Sequence, residues 1–170
     1  GTTFLRRAER IHLAVLEDAE VMEAARLTVE GAPGAVDQEA LVAMAEIVHG
    51  YPYLLQLVGY RAWREAGGGE ILRAHVEATR SVVSERMGRL VHEPALRDLP
   101  ESQASYLRAM AQDPGPSSTG EVASRLGLVA QHANVFRARL IERELIVPAG
   151  HGRVDFALPY LRDHVRRKAV

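Results

Sequence analysis

The sequence has no cysteine, and that single absence excludes disulfides, thiolate metal sites, iron–sulfur clusters and cysteine nucleophiles. Lysine is nearly missing too. Of 21 basic residues, 20 are arginine, a skew that reads as GC-rich coding before it reads as phosphate binding. Aromatic residues make up 5% of the chain, with one Trp. No apolar run approaches the roughly 18 residues of a spanning helix, so no membrane partner is expected. The start, Gly1-Thr2-Thr3-Phe4-Leu5-Arg6-Arg7, lacks the apolar stretch of a secretory signal. The cytoplasm is therefore the expected compartment. A first residue of Gly instead of Met is read as a processed tag or a cut from a longer chain.

Catalytic motifs are wanting as well. No G-x-x-x-x-G-K-[ST] loop occurs, and Gly67-Gly68-Gly69-Glu70 lacks the Lys and hydroxyl that hold phosphate and magnesium. Ser117-Ser118 is no nucleophile elbow and reads better as a helix cap. The histidines, at 12, 49, 75, 92, 132, 151 and 164, include no pair at i+3 or i+4, so no metal site is expected. Glu142 and Glu144, two apart, lie on different helix faces and make a poor acid/base pair. This chain by itself is expected to be no enzyme, with no catalytic residue and no cofactor of its own.

What is present fits a globular chain of one domain or two small ones: 170 residues, 47% apolar, 25% charged. The net charge of −1 hides an asymmetry. Residues 1–99 carry 11 arginines against 15 acids, and residues 100–170 carry 10 basic residues against 7 acids. An acidic first part beside a basic second part points to two modules with different partners.

Residues 1–94 read as short helices around one odd strand. Ile11, Leu13 and Val15 alternate with their neighbours, giving a strand candidate at 11–15 with no evident partner. Either this stretch is helical, or its sheet lies in a part of the protein outside this chain. Asp18 can cap a helix to about Val29, with Gly31 as its stop. Asp37 can cap a second, with Leu41, Met44, Ala45 and Val48 at helical spacing, ending at Gly50. Pro52 suits the first turn of a third helix. Its Leu54, Leu55, Leu57, Val58 and Trp63 make it apolar nearly all round and so central, with Trp63 in the core. A fourth helix is expected from Ile71, with Leu72, Val76, Val83, Met87 and Leu90 as its stripe. Residues 93–100, with Pro94 and Pro100, read as a linker.

Residues 98–170 have the layout of a winged helix. Asp98-Leu99-Pro100-Glu101 has capping-box spacing and opens a helix through Tyr106, Leu107 and Met110. Ser118-Thr119-Gly120-Glu121 is a second box opening a short helix. Gly127 makes the sharp turn, and a longer helix runs from about Ala130 to Arg143, the helix-turn-helix order. Leu145-Ile146-Val147 and Val154-Asp155-Phe156-Ala157 flank a Gly-containing loop as a hairpin, the wing. Pro159 opens a last helix whose Arg166-Arg167-Lys168 suits the negative end of its dipole. If this domain binds double-stranded DNA, Gln131, His132 and Asn134 face bases while Arg137 and Arg153 lie near phosphates. The alternative is that the same surface packs on a protein.

Gly50-Tyr51-Pro52-Tyr53-Leu54-Leu55-Gln56 resembles the lid of bacterial AAA/STAND-type ATP-binding proteins, Orc/Cdc6-like relatives. The similarity continues through Ile11-His12-Leu13, Ala109-Met110-Ala111, Glu121-Val122-Ala123, Arg137-Ala138-Arg139-Leu140-Ile141 and Phe156-Ala157-Leu158-Pro159, and so covers nearly the whole chain. The resemblance implies a mainly α fold: a small helical lid followed by a winged-helix domain with a short β-hairpin. It implies an upstream nucleotide-binding core whose last strand is the one at 11–15, and ATP or ADP with Mg in the intact protein. It also implies that Gly50, Tyr51 and Pro52 contribute to nucleotide binding, Pro52 by packing on adenine. Two departures stand out. Tyr53 occupies the place of the relatives' phosphate-sensing Arg, and Phe156-Ala157-Leu158 stands where plant-resistance relatives have Met-His-Asp. The competing expectation is a self-contained transcription regulator that binds DNA as a dimer, with residues 1–95 for dimerisation or effector sensing.

Overall fold

A computed structural model describes residues 15–29 and 34–168. The strand expected at 11–15 lies outside these residues except for Val15, which is not in a strand; the expected stop at Gly31 lies outside them too. The described fold is mainly helical with one small antiparallel sheet. The chain divides into two compact units, Gly1–Arg80 and Ser81–Val170. Among the described residues no helix is long and apolar enough to cross a membrane.

The first unit contains α1 (Asp18–Val29), α2 (Gln38–Val48), α3 (Pro52–Glu65) and α4 (Arg73–Glu77). At the start of α1 the Glu17 N–H donates to Glu20 Oε2 at 2.8 Å, so a residue one turn inside reaches back to cap the end. Asp37 caps α2 as expected, accepting from the Glu39 N–H at 3.1 Å. Seven of the eleven residues of α2 are buried, and α2 touches α1, α3 and α4. The centre of the unit is therefore α2, not α3. In α3 the buried residues are Leu54, Val58 and Ala62, one row at i, i+4 and i+8. Trp63 lies 100° round from Ala62 and is 44% exposed, which corrects its placement in the core. The alanines of α2 let its neighbours close around it, and they leave no room at the centre for an indole.

Ile71 belongs to no helix. It forms a parallel bridge with Val36, its N–H donating to Ala35 O at 2.8 Å while its carbonyl accepts from the Asp37 N–H at 3.0 Å. The single long helix expected after it is broken into α4, α5 (Arg80–Met87), a π-helical turn at Gly88–His92 and α6 (Glu93–Leu96). Two local causes are visible. The buried Thr79 hydroxyl donates to Val76 O at 2.7 Å, competing with the helical ladder. Pro94 has no N–H to give, and the turn before it widens so that the Glu93 N–H reaches back five residues to Gly88 O. The breaks rotate the expected stripe. Val76, Val83 and Met87 are buried, but Leu72 and Leu90 are exposed.

The second unit continues through α6, which begins within the stretch read as a linker, to α7 (Glu101–Met110), β1 (Ser117–Ser118), α8 (Thr119–Arg125), α9 (Ala130–Glu142), β2 (Ile146–Pro148), β3 (Arg153–Phe156) and α10 (Leu161–Lys168). The sheet order is β1-β3-β2, antiparallel throughout, with Ser117 opposite Val154 and Ile146 opposite Phe156. This is the helix-turn-helix and wing in the expected order. The hairpin strands each lie one residue from their expected limits. β1 was not expected, since two serines carry no strand signal. The Asp98 box does not form: Pro100 occupies the N-cap of α7 with no side-chain cap, leaving Asp98 two residues upstream. Ser118 does cap α8, accepting from the Glu121 N–H at 3.5 Å. Tyr106, Leu107, Met110, Val122, Leu140, Ile146, Val154 and Leu161 are buried in one core.

Two histidines lie against each other in this unit. His92, in the π-helical turn, and His164, in α10, are buried with ring centroids 5.0 Å apart, edge to face. Gly88 forms the notch for His164: a Cβ there would come within 2.9 Å of its Nδ1. His92 Nε2 lies 2.9 Å from Pro159 O, so it carries the proton and donates, leaving the Nδ1 lone pair without a partner. Burial first, then the charges of His164 and Arg167, outweigh the Pro159 bond and hold the His92 pKa down at about 4. Burial lowers His164 as well, helped by Lys168 and Arg167 and opposed by Glu93.

A histidine with a depressed folded pKa makes the unfolded chain take up the proton first. Stability is then full above the ordinary value of 6.5 and falls as pH drops toward 4. The expected loss attributable to His92 is up to about 3 kcal/mol. Urea unfolding across this window should show it, and His92→Gln, which retains a donor for Pro159 but does not titrate, should remove most of the dependence. An unchanged slope in that variant would refute the assignment to His92.

Candidate lid junction and recognition face

The junction between α2 and α3 is built on backbone crowding. His49 caps α2 in the left-handed region at φ 47°, Gly50 follows at φ 72°, and the Tyr51 N–H donates to Val48 O at 3.0 Å. The Leu16 N–H donates to Gly50 O at 2.9 Å. A Cβ on Gly50 would lie 2.2 Å from Leu16 O and 2.3 Å from the Val15 side chain. The backbone that approaches this glycine is thus the chain's own. Tyr51 is half-buried, and burial pushes its phenol above the usual range. Pro52 takes the first position of α3 and is exposed, lining a cavity of about 630 Å³.

What this junction presents to its surroundings is the face of Pro52. Among the described residues none of the cavity's lining side chains is charged, so a triphosphate would find no partner in them. Among the described residues no group of three or more His, Asp or Glu is arranged to hold a metal ion. The described residues of this junction fit contact with a flat apolar ring and do not fit phosphates or Mg.

On the second unit, Gly127 turns the chain at φ 64° between α8 and α9, with the Leu128 N–H donating to Ala123 O at 3.0 Å. Gln131, His132 and Asn134 are exposed in the first half of α9, on the faces away from the buried Ala133 and Leu140. Arg137 is placed differently. It shares the inner row with Ala133 and Leu140, is half-buried, and its Nε has no hydrogen-bond partner. Its charge opposes the burial that raises the Tyr106 phenol. The spacing 133, 137, 140 already carried that signal. Arg153 is exposed at the base of the wing, its guanidinium 3.4 Å from Pro116 O. The wing is anchored to α8, since both the Thr119 N–H and its hydroxyl donate to Gly152 O, at 2.9 and 3.1 Å. The structure therefore brings Gln131, His132 and Asn134 onto one exposed helix half and leaves Arg137 inside. Val129, at the N-cap of α9, and Val135 within it are exposed, and Glu142 at its end and Glu144 just beyond are exposed as well.

A family model described as "Domain of unknown function (DUF8462)" matches residues 89–165, less than half of the chain and wholly within the second unit. No curated protein matches. Among solved structures, two variants of Thermotoga maritima RuvB are similar to this chain, at 16% and 17% identity, each with a TM-score of 0.41. The match covers 91% of this chain and 50% of those chains, so this chain spans half their length. That TM-score lies below the level at which likeness shows a common fold.

Two glycines separate crowding from conformation. Gly127 has a left-handed φ but open space around a would-be Cβ, whereas Gly50 has both the φ and the collision. Gly127→Ala is expected to cost about 1 kcal/mol, and Gly50→Ala about 3 kcal/mol or more, in denaturant unfolding. Equal costs would mean that the contact between Leu16 and Gly50 does not hold the junction.

Proposed function

We propose that this chain is the C-terminal regulatory and interaction module of a STAND/AAA-type ATPase. In this reading residues 1–94 act as a lid and residues 98–170 as a winged-helix domain. ATP or ADP with Mg is held by an upstream nucleotide-binding core, and any hydrolysis belongs to that core. The lid contributes the apolar face of Pro52 to the base, with Gly50 and Tyr51 setting its position. The observation that carries the reading is the exposure of Pro52 on a junction fixed by the bond between Leu16 and Gly50: the ring is held in place but not used by the unit's own core. Nucleotide state would then bias which winged-helix surface meets a partner, through different contacts in each state.

The test uses a polypeptide in which the upstream core precedes this chain. ATP should slow amide exchange at residues 50–56 and change exchange in α9. Pro52→Ala should weaken ATP binding about 3- to 10-fold, the loss of one apolar contact worth about 1 kcal/mol. Identical exchange with and without ATP would sink the reading.

A second reading, of direct DNA binding with or without an upstream core, is favoured by the exposed Gln131, His132 and Asn134 beside the wing. It expects affinity for duplex DNA that falls steeply with salt. Asn134→Ala should relax sequence preference, while Arg153→Ala should reduce the salt slope by about one. Binding without salt dependence, or none, would leave a protein partner as the occupant of that face.

A further inference from the structure

The cavity beside α3 extends well beyond Pro52. A second row of that helix, Pro52, Leu55, Gln56, Gly59, Tyr60 and Trp63, runs along it, separate from the core row of Leu54, Val58 and Ala62. Its volume of about 630 Å³ lies within the range of small-molecule sites. Among the described residues none of its lining side chains carries a charge, and the nearby Arg64 guanidinium stands 5.8 Å over the Tyr60 ring from outside the lining. The Thr28 hydroxyl at its edge is already spent on Ala24 O at 2.7 Å. Among the described lining residues, the Gln56 amide and the Tyr60 hydroxyl are the remaining side-chain groups that both donate and accept. The chain's one Trp and Tyr60 stand 44% and 56% exposed on this row. Gly59 lies next to Tyr60 and one turn before Trp63, with nothing within 4 Å of where a Cβ would be, so the floor of the cavity is open at that point.

We infer that this cavity binds an uncharged, largely aromatic small molecule, gripped by Tyr60 and Trp63 and oriented by Gln56. Charge is disfavoured because an ion taken from water would find no counter-charge among the described lining residues, and Arg64 beside Tyr60 already faces that ring. Apolar ring surface is favoured because the cavity offers mainly carbon to meet it. Gly59 has no structural need to be glycine: it is helical, with no left-handed φ, and glycine is a poor residue inside a helix. Its benefit here is the space it leaves. The site shares Pro52 with the proposed lid contact at one end of the row, but its grip lies at the other end, on Tyr60 and Trp63.

The probe is N-phenyl-1-naphthylamine, uncharged, which accepts excitation energy from Trp63. Its sulfonated relative, 1-anilinonaphthalene-8-sulfonate, supplies the same rings with a negative charge. With the full chain, the neutral probe should bind saturably, with energy transfer from Trp63, and at least about tenfold more tightly than the sulfonate, a preference of the size expected for excluding a charge. Gly59→Leu, which fills the cavity, should weaken neutral-probe binding at least about tenfold while leaving the unfolding midpoint unchanged or raised. Gln56→Leu should leave the fold intact and lower affinity for this N–H-bearing probe. Equal binding of the two probes, no saturable binding, or a Gly59→Leu variant that binds as before would overturn the inference. Displacement of the probe by ADP would show the cavity to be part of the nucleotide contact and would overturn the separate site while supporting the lid reading.

Discussion

Carbonyl oxygens at the end of α7 and in the turn that follows it meet three guanidinium groups, and the second unit is organised around that meeting. Arg125 of α8 donates to Ala109 O at 2.9 Å and to both Asp113 carboxylate oxygens at 2.8 and 2.6 Å. Arg162 of α10 donates to Asp113 O at 2.5 Å and pairs with Asp155 of β3. Arg166 donates to Ala111 O and, at 2.8 Å, to Asp113 O. Ser117 of β1 adds its hydroxyl to Met110 O at 3.2 Å. A helix end leaves carbonyls without partners and carries partial negative charge, and arginine supplies several donors in a planar fork. The ion pair with Asp113 lies near the surface and is worth under about 1 kcal/mol. Pairing buried carbonyls matters more, because each left alone costs about 1–3 kcal/mol. One helix terminus thus fixes the positions of α8, β1, β3 and α10, and with them the helix-turn-helix and the wing.

The first unit is held by crowding instead of charge. Its α2 is small-residued and buried on most sides, so α1, α3 and α4 can gather round it. The Val36–Ile71 bridge ties the start of α2 to the start of α4, and the Leu16–Gly50 bond ties the approach to α1 to the end of α2. This arrangement spends one row of α3 on the core and leaves the other facing the cavity. The same geometry explains an exposed Trp and an exposed Pro within a few turns of each other. A gly-x-Pro junction can therefore be required by the fold and still present a proline face for another use.

The elements were legible where local chemistry decides them. Asp37, Pro52, Ser118, Gly127 and the hairpin glycines mark caps and turns within a few residues of sequence, and the structure has helix ends and turns at each. The winged-helix order followed from those marks. Of the candidate site residues, Gln131, His132, Asn134 and Arg153 are exposed where the layout put them, but Arg137 turns inward, a position readable from its spacing to Ala133 and Leu140. The long-range partners were not legible. Arginines 125, 162 and 166 reach carbonyls at the end of α7 and just beyond it across 16, 49 and 55 residues of chain, and no local pattern marks a side chain for a carbonyl that far away.

What the sequence determined by itself was the list of elements and their punctuation, because capping, turn conformation and helical period act over a handful of bonds. Tertiary structure decided which helix is central, how the stretch after Ile71 breaks, and that two buried histidines meet edge to face, His164 in a notch made by Gly88. Those outcomes depend on which faces meet and how much volume remains between them. A one-residue rotation of 100° moved Trp63 from the expected core to the wall of a cavity, and apolarity alone does not say which face of a helix its neighbours will take.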